Sequence, residues 1–404
     1  MKKGWQRKTL GELCEIRNGS TPSKSNPAYW DSGDIPWFTI DDIRDQGRSI
    51  LSTRKTITQA ALEETSVKLL PADSVLLCCT ASVGEFAIAR IPVTTNQQFN
   101  GLVVRDRTEL SPDFLFHYAA TLKDELLGLS GKTTIDFIPI SRVRGVTVPL
   151  PPLNEQQRIV GILDEAFEGI ATAKASAEKN FQNARALFES YLQSVFTQHG
   201  PGWVEKPLSE LCEIKHGFAF KSQFFASAGD YVLLTPGNFF EIGGYRDRGE
   251  KQKYYTGEIP HDYVLCDGDL LVAMTEQAAG LLGSPILIPE SDKFLHNQRL
   301  GLVMKKPGVP WTNEFFFHVF NTQAVRKEIH DSASGVKVRH TSPTKIGEVV
   351  VSFPTSLSEQ RAIVSTVKNL REETQRLESL YQQKLAALEA LKKSLLHQAF
   401  NGKL

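Results

Sequence analysis

Short loops along this chain are rich in amide, guanidinium, ammonium and hydroxyl groups, a chemistry suited to paired hydrogen bonding rather than to bond breaking. In the first half they are STPSKSNPAYW, WFTIDDIR, TASVGE, TTNQQ and GKTTID, contributing Ser20, Thr21, Lys24, Tyr29, Thr39, Asp41, Arg44, Thr80, Ser82, Asn96, Gln97, Gln98, Lys132 and Thr133. In the second half FAFKSQ, GNFFEIGGYRDRGEKQK, TEQAAG, HNQR and GVKVRHT contribute Lys221, Asn238, Tyr245, Arg246, Arg248, Lys251, Thr275, Glu276, Gln277, Asn297, Gln298, Arg299, Lys337 and Arg339. Asn and Gln offer the donor–acceptor pair that an adenine edge takes, and Arg and Lys the donors that guanine takes. Hydroxyls and Lys suit phosphates, which fix position without reporting base identity. For any one residue, solvated loop polarity is a sufficient account; the recurrence of such loops at matching places in two halves is what marks the set.

Reactive centres are missing from the pattern. The chain has no GxxxxGK[ST], HExxH or GxSxG segment. The nearest approach is Asn26-Pro27-Ala28-Tyr29, similar to the NPPY motif with which amino-methyltransferases stack a flipped base. Its second proline is replaced, and no glycine-rich strand–loop that would cradle S-adenosylmethionine precedes it, so it reads as a loop. Nine histidines lack ligand spacing, so no metal site, no catalytic residue and no cofactor bound by this chain are expected.

The totals describe a soluble protein of more than one core: 404 residues, 41% hydrophobic, 23% charged and a net charge of +0. No apolar run reaches membrane-spanning length, and the basic start MKKGWQRK leads into no leader-like apolar stretch. Five cysteines without metal-type spacing, Cys14, Cys78, Cys79, Cys212 and Cys266, read as buried thiols in a reducing, cytoplasmic setting. Charge is also balanced segment by segment: +1 over 1–150, −2 over 151–199, −2 over 200–352 and +3 over 353–404. Any contact with nucleic acid must therefore come from local clusters.

The elements that position these loops occur twice. GELCEIRNG at 11–19 returns as SELCEIKHG at 209–217, Trp5 as Trp203, and NQQFNGLVV as NQRLGLVM. Leu153-x-Glu155-Gln156 returns as Leu357-x-Glu359-Gln360, at an offset of 204. Each copy alternates short β-type runs with turns (Val75–Cys79, Leu102–Val104 and Val146–Val148; Leu270–Met274, Leu302–Met304 and Val349–Val351) and carries a short helix after Ser111-Pro112 or after Trp311. Each then enters a long proline-free helix, with Asn154 and Gln157 as a capping pair in the first copy and Ser358 as the cap in the second. About 45 residues make a helix about 67 Å long.

Heptad spacing places Ile159, Leu163, Ala166, Ile170, Ala173, Ala177, Asn180, Ala184, Leu187 and Tyr191 on one seam. The partner seam is Ile363, Val367, Leu370, Thr374, Leu377, Tyr381, Lys384, Leu388, Leu391 and Leu395. Small residues on the first oppose large ones on the second, which predicts that the two helices pair antiparallel and cross near Asn180 and Lys384. The fold class is α+β: two similar α/β domains, at 1–152 and 200–356, separated by long helices at 153–199 and 357–404 that form an antiparallel coiled coil with a pseudo-twofold internal repeat. A rod with one domain carried towards each end is the expected arrangement.

Over its whole length the chain resembles the specificity subunits of Type I restriction–modification enzymes. The resemblance rests on IRNGSTPSKSNPAYWDSGDIPWFTIDDI, on PLPPLNEQQRI and LSEQRAIV ahead of the long helices, and on the terminal LLHQAFNGKL. The second junction departs from the pattern, with FPTSL in place of PLPPL. The resemblance implies two target-recognition domains, each reading one half of a bipartite, asymmetric site on double-stranded DNA. It implies helices that set the spacer and dock two modification subunits, which carry S-adenosylmethionine and methylate adenine. Restriction subunits would add ATP-driven translocation and cleavage, and the chain itself would be non-catalytic. A helical stalk joining other proteins, or the recognition portion of a stand-alone DNA methyltransferase, are the competing readings.

Overall fold

A computed structural model describes residues 4–129, 138–198, 200–276, 280–335 and 338–404. By contact the chain forms two units, Met1–Lys179 with Gln382–Leu404, and Asn180–Tyr381.

The first unit is built around a mixed sheet in which strand Cys14–Asn18 pairs antiparallel with Phe99–Val104, Phe99–Val104 with Ser74–Cys78, and Ser74–Cys78 with Phe86–Ala89. Ser74–Cys78 is buried throughout, as a strand covered on both faces requires. A smaller sheet pairs Ile35–Phe38 antiparallel with Thr56–Ile57 and parallel with Thr94–Thr95. Gln6–Thr9 pairs with Thr147–Leu150 and closes the unit beside the long helix.

The second unit repeats this plan. Cys212–His216 pairs with Leu300–Lys305, which pairs with Leu270–Ala273, which pairs with Pro285–Leu287. Tyr231–Leu233 pairs antiparallel with Tyr254–Tyr255 and parallel with Phe294–Leu295. Trp203–Pro207 pairs with Val350–Pro354.

The repeated phrase has a packing explanation. In each copy it is one helical turn followed by a strand, Leu10–Leu13 into Cys14–Asn18 and Leu208–Leu211 into Cys212–His216. Its Leu, Leu and Cys side chains are the buried ones: Leu10, Leu13 and Cys14, then Leu208, Leu211 and Cys212. Burial pushes the Cys14, Cys79 and Cys212 thiols up to about 12, so they act as small apolar groups. Cys266 departs from the expectation and is exposed.

The long helices span Leu153–Thr197 and Leu357–Phe400. Neither starts as its capping pattern predicts. Asn154, Gln157 and Ser358 lie inside the first turn, and in the second copy it is the Ser356 hydroxyl that accepts the Glu359 amide, at 3.3 Å.

The glutamine of the repeated Leu-x-Glu-Gln does a different job. Gln156 is wholly buried; its Oε1 accepts the Ser111 amide at 2.8 Å, and its Nε2 donates to the Glu109 and Pro151 carbonyls at 2.8 and 2.9 Å. Gln360 does the same, accepting from the Thr312 amide at 3.0 Å and donating to Pro310 and Pro354 at 2.9 Å each. One side chain thus ties helix start, preceding strand and short-helix start together. Each hydrogen bond replaces one that burial would otherwise leave unmade.

Antiparallel pairing of the helices is visible inside each unit. In the first, Arg158 donates to the Leu404 carbonyl at 2.7 Å and Lys174 pairs with Glu389 at 2.8 Å, so advance along one helix is retreat along the other. The same end of the chain is held by Phe400, whose ring packs on Phe114 and Tyr118 in the core that contains Trp5. In the second, Arg185 pairs with Glu378 at 3.2 Å and the Trp203 indole donates to Glu359 at 3.0 Å.

The seam holds through its early heptads: Ile159, Leu163, Ile170, Ala177 and Ala184 are buried, as are Val367 and Thr374, whose hydroxyl bonds back to Leu370. Asn180, Leu187, Lys384 and Leu391 are exposed, contrary to their assignment to the seam. Phe181, Phe188, Leu385 and Lys392, one position later, take the half-buried places. An α-helix falls about 20° behind a strict heptad at each repeat, and after three repeats the next residue is nearer the contact.

Candidate nucleic-acid interface

In the first unit, four of the singled-out loops meet at one corner of the two sheets. Gly19 donates to the Phe99 carbonyl at 3.0 Å and Ser20 to that of Thr95 at 2.8 Å. A Cβ on Gly19 would lie 2.0 Å from the Asn96 oxygen, so the chain can pass here only as glycine. The Asn96 amide donates to Phe38, and the Cys79 amide to Gln98, at 3.3 and 2.9 Å. Ser20, Thr21, Thr39, Thr80, Asn96, Gln97 and Gln98 are thereby gathered. The Thr21 hydroxyl donates to Gln97, and the Asn96 amide to Gln98 at 3.2 Å, which holds these side chains in fixed orientations. A cleft of about 480 Å³ adjoins, lined by Ile40, Arg44, Ser82, Glu85 and Lys123 among others.

The second unit builds the same corner. A Cβ on Gly217 would lie 2.1 Å from the Asn297 oxygen. Phe218 donates to the His296 carbonyl at 2.9 Å, Gln298 to Phe218 at 3.0 Å and Met274 to Arg299 at 3.0 Å. Asn297, Gln298 and Arg299 are at least partly exposed there. The buried His296 ring donates from Nε2 to the Leu300 carbonyl at 2.9 Å, and burial lowers it to about 4, so it stays neutral. The sequence reading passed over this histidine, although it directly precedes the Asn297–Arg299 run.

Other candidates are placed less favourably. Lys24 and Lys221 are exposed away from these hydrogen bonds, and the Tyr29 hydroxyl donates to Glu64 at 3.2 Å. Arg44 is paired with Asp41 at 2.8 Å on the surface. WFTIDDIR is no loop beyond Thr39: a helix runs Ile40–Gln46, with Thr39 and Asp42 as its capping box. The Thr-x-x-Asp spacing was the available signal.

Asn238 occupies the corresponding place in the second unit and is 1% exposed. Its Oδ1 accepts from Thr235 and its Nδ2 donates to the Gln252 side chain at 2.9 Å, so it braces the loop instead of facing outward. Glu276 is likewise internal, accepting the amides of Gly280, Leu281 and Leu282 at 3.0–3.1 Å. Thr275 is buried beside His340. These three are corrections to the surface assignment: a polar loop needs polar bracing of its own.

Tyr245 packs edge-on against Phe294, Arg246 lies over the Phe240 ring at 4.6 Å, and Arg339 donates to the His330 carbonyl at 2.7 Å. Arg248 is half-buried over Gly237, and Lys251 is exposed. Lys132, Thr133, Gln277 and Lys337 lie outside the described residues. Among the described residues no group of three or more His, Cys, Asp or Glu could hold a metal ion, and no helix is long and apolar enough to cross a membrane.

Two copies of one α+β body, each followed by a long helix and each gathering Asn, Gln and hydroxyl side chains at a sheet corner, define a duplicated recognition module. The family model of the Type I restriction modification DNA specificity domain matches residues 2–179 and again 201–389, and the chain belongs to that family.

Curated relatives agree with this. The Type I restriction enzyme MjaIX specificity subunit of Methanocaldococcus jannaschii is 29% identical over 230 residues, covering 53% of each chain. The EcoprrI specificity subunit of Escherichia coli is 29% identical over 262 residues, 62% of this chain and 64% of that one. These matches thus span between about half and two thirds of the relatives' lengths. The MjaVIII specificity subunit of Methanocaldococcus jannaschii aligns over 99% of this chain and 93% of its own, at 20% identity.

Solved structures share the fold. A chain from the type I R-M system, studied for its complex assembly and conformational transition, superposes with a TM-score of 0.76 at 19% identity, covering 100% and 99% of the two chains. The HsdS subunit from Thermoanaerobacter tengcongensis gives 0.67 at 19% identity, covering 100% and 98%.

Proposed function

We propose that this chain is the sequence-reading subunit of a Type I restriction–modification complex. Each unit reads one half of a bipartite, asymmetric site on double-stranded DNA, and the long helices set the unread spacer and dock two modification subunits. Those subunits supply S-adenosylmethionine and the methylation of adenine, and restriction subunits supply translocation and cleavage. This chain contributes recognition without bond chemistry of its own, and works in the cytoplasm beside the DNA.

The observation that carries the reading is the duplicated corner: Gly19 on Asn96 and Gly217 on Asn297 set two like frames, with Thr21-Asn96-Gln97-Gln98 in one and Asn297-Gln298-Arg299 in the other. Equal frames with unequal side chains suit two half-sites of different sequence. Mapping of methylated adenines in cells expressing this chain with its modification subunit tests it. A single bipartite motif with a fixed spacer is the expected result. Methylation without sequence preference, or none beyond that of the modification subunit alone, overturns it.

A further inference from the structure

The second unit carries a feature with no counterpart in the first. After Thr235 and the turn Pro236–Asn238, the chain forms a tight hairpin in which Phe239 bridges to Tyr245 and the Phe240 amide donates to the Gly244 carbonyl at 3.1 Å. Gly243 and Gly244 turn it with φ of 81° and 99°.

Two apolar side chains sit at its tip, Phe240 at 41% and Ile242 at 69% exposure. Such exposure would be unremarkable on a loose loop. This one is pinned: Ser284 donates to the Phe240 carbonyl at 2.7 Å, the Gly244 amide to Pro285 at 2.9 Å, and the Asn321 side chain to the Ile242 carbonyl. The buried Asn238–Gln252 pair braces its base.

The surroundings indicate what the tip meets. The Arg246 guanidinium lies over the Phe240 ring, and Arg248, Lys251 and Lys253 follow within the same segment. Among the described residues none of these four cations makes an ion pair. They outnumber the interleaved Glu241, Asp247 and Glu250 by one. A rigid apolar point flanked by free cations matches a partner that offers stacked apolar faces between rows of phosphates.

We propose that the Phe239–Tyr245 hairpin is a wedge: Phe240 and Ile242 enter the DNA at one base-pair step and part its stacking, while Arg246 and its neighbours hold the flanking phosphates. The proposal rests on the recognition reading above and adds a distortion at one half-site only. Unstacking costs free energy that depends on the step, so the wedge contributes sequence preference without base-edge hydrogen bonds.

The test uses the full complex with its modification subunits and a duplex bearing the mapped site, with 2-aminopurine placed at each position in turn. Fluorescence rises at one step of one half-site. The Phe240→Ala/Ile242→Ala variant abolishes that rise and weakens binding about tenfold, while Leu51→Ala, an equally exposed apolar change in the first unit, alters neither. Selective binding with no bright step removes the wedge and leaves the recognition reading standing. Binding without selectivity removes both. A double variant that keeps the bright step, or that fails to co-purify with modification subunits, also overturns it, the latter by assigning the tip to a protein contact.

Discussion

The two units part company within a few residues of the same braced corner. In the first, Thr39 and Asp42 cap a helix that runs Ile40–Gln46. In the second, Thr235 and Asn238 form the same box, but the chain makes a single turn and then projects the Phe239–Tyr245 hairpin. The buried histidines of the short helices diverge likewise. His117 pairs with Asp164 at 2.8 Å, whereas His318 faces Arg371 and is held down to about 4 by burial and that cation. The glutamine ties, by contrast, are nearly superimposable in partners and distances. Duplication has kept what closes each unit and released what each presents.

The sharpest way to break this comparison is to cut one tie. Gln156→Ala strands the Ser111 amide and two carbonyls in the interior and costs about 3 kcal/mol. Hydrogen exchange resolved by region should show lost protection in the first unit alone, and Gln360→Ala the mirror result. Equal loosening of both units by either change would mean that the ties are not local.

Acid should separate the units by a comparable amount. His296 and His318 stand near 4 in the folded chain, so between about pH 6.5 and 4 the unfolded state binds more protons than the folded one. Stability is therefore full above that window and falls as pH drops through it, by up to about 3 kcal/mol for the wholly buried His296. His117 is also lowered by burial, but Asp164 opposes the shift. The second unit should lose exchange protection first on acidification, and His296→Gln should flatten its profile.

Exchange of the loops at 20–45 and 80–100 for those of a relative should alter one methylated half-site and leave the other as it was. Smallest of all is the helix-surface pair Lys174–Glu389, with side chains 42% and 53% exposed. A double-mutant cycle should give a coupling of about 0.5 kcal/mol, further reduced by salt.

Periodic features were the legible ones. The duplication, the paired helices and the seam through Ala177 follow from spacing, because a buried stripe must repeat with the helix. The stripe was lost at Asn180 because heptad counting ignores the accumulating turn of an α-helix. Polar loops were harder. Asn238 and Glu276 read as outward chemistry, yet each holds its own loop together, and residue type alone does not say which way an amide or carboxylate faces. The hairpin was hidden in GNFFEIGGYRDRG, where two glycines beside exposed Phe and Ile carried a signal that was taken for ordinary polarity.

The Gln156 and Gln360 ties have a rotational consequence. Each clamps the first turn of its helix to the body behind it, so everything downstream inherits an angular phase. A one-residue insertion beyond the clamp would spin the remaining stripe by about 100°, whereas seven residues would return it to within about 20°. Variation in helix length should therefore come in near-whole pairs of turns, matched in both helices, and a site's spacing should change in steps.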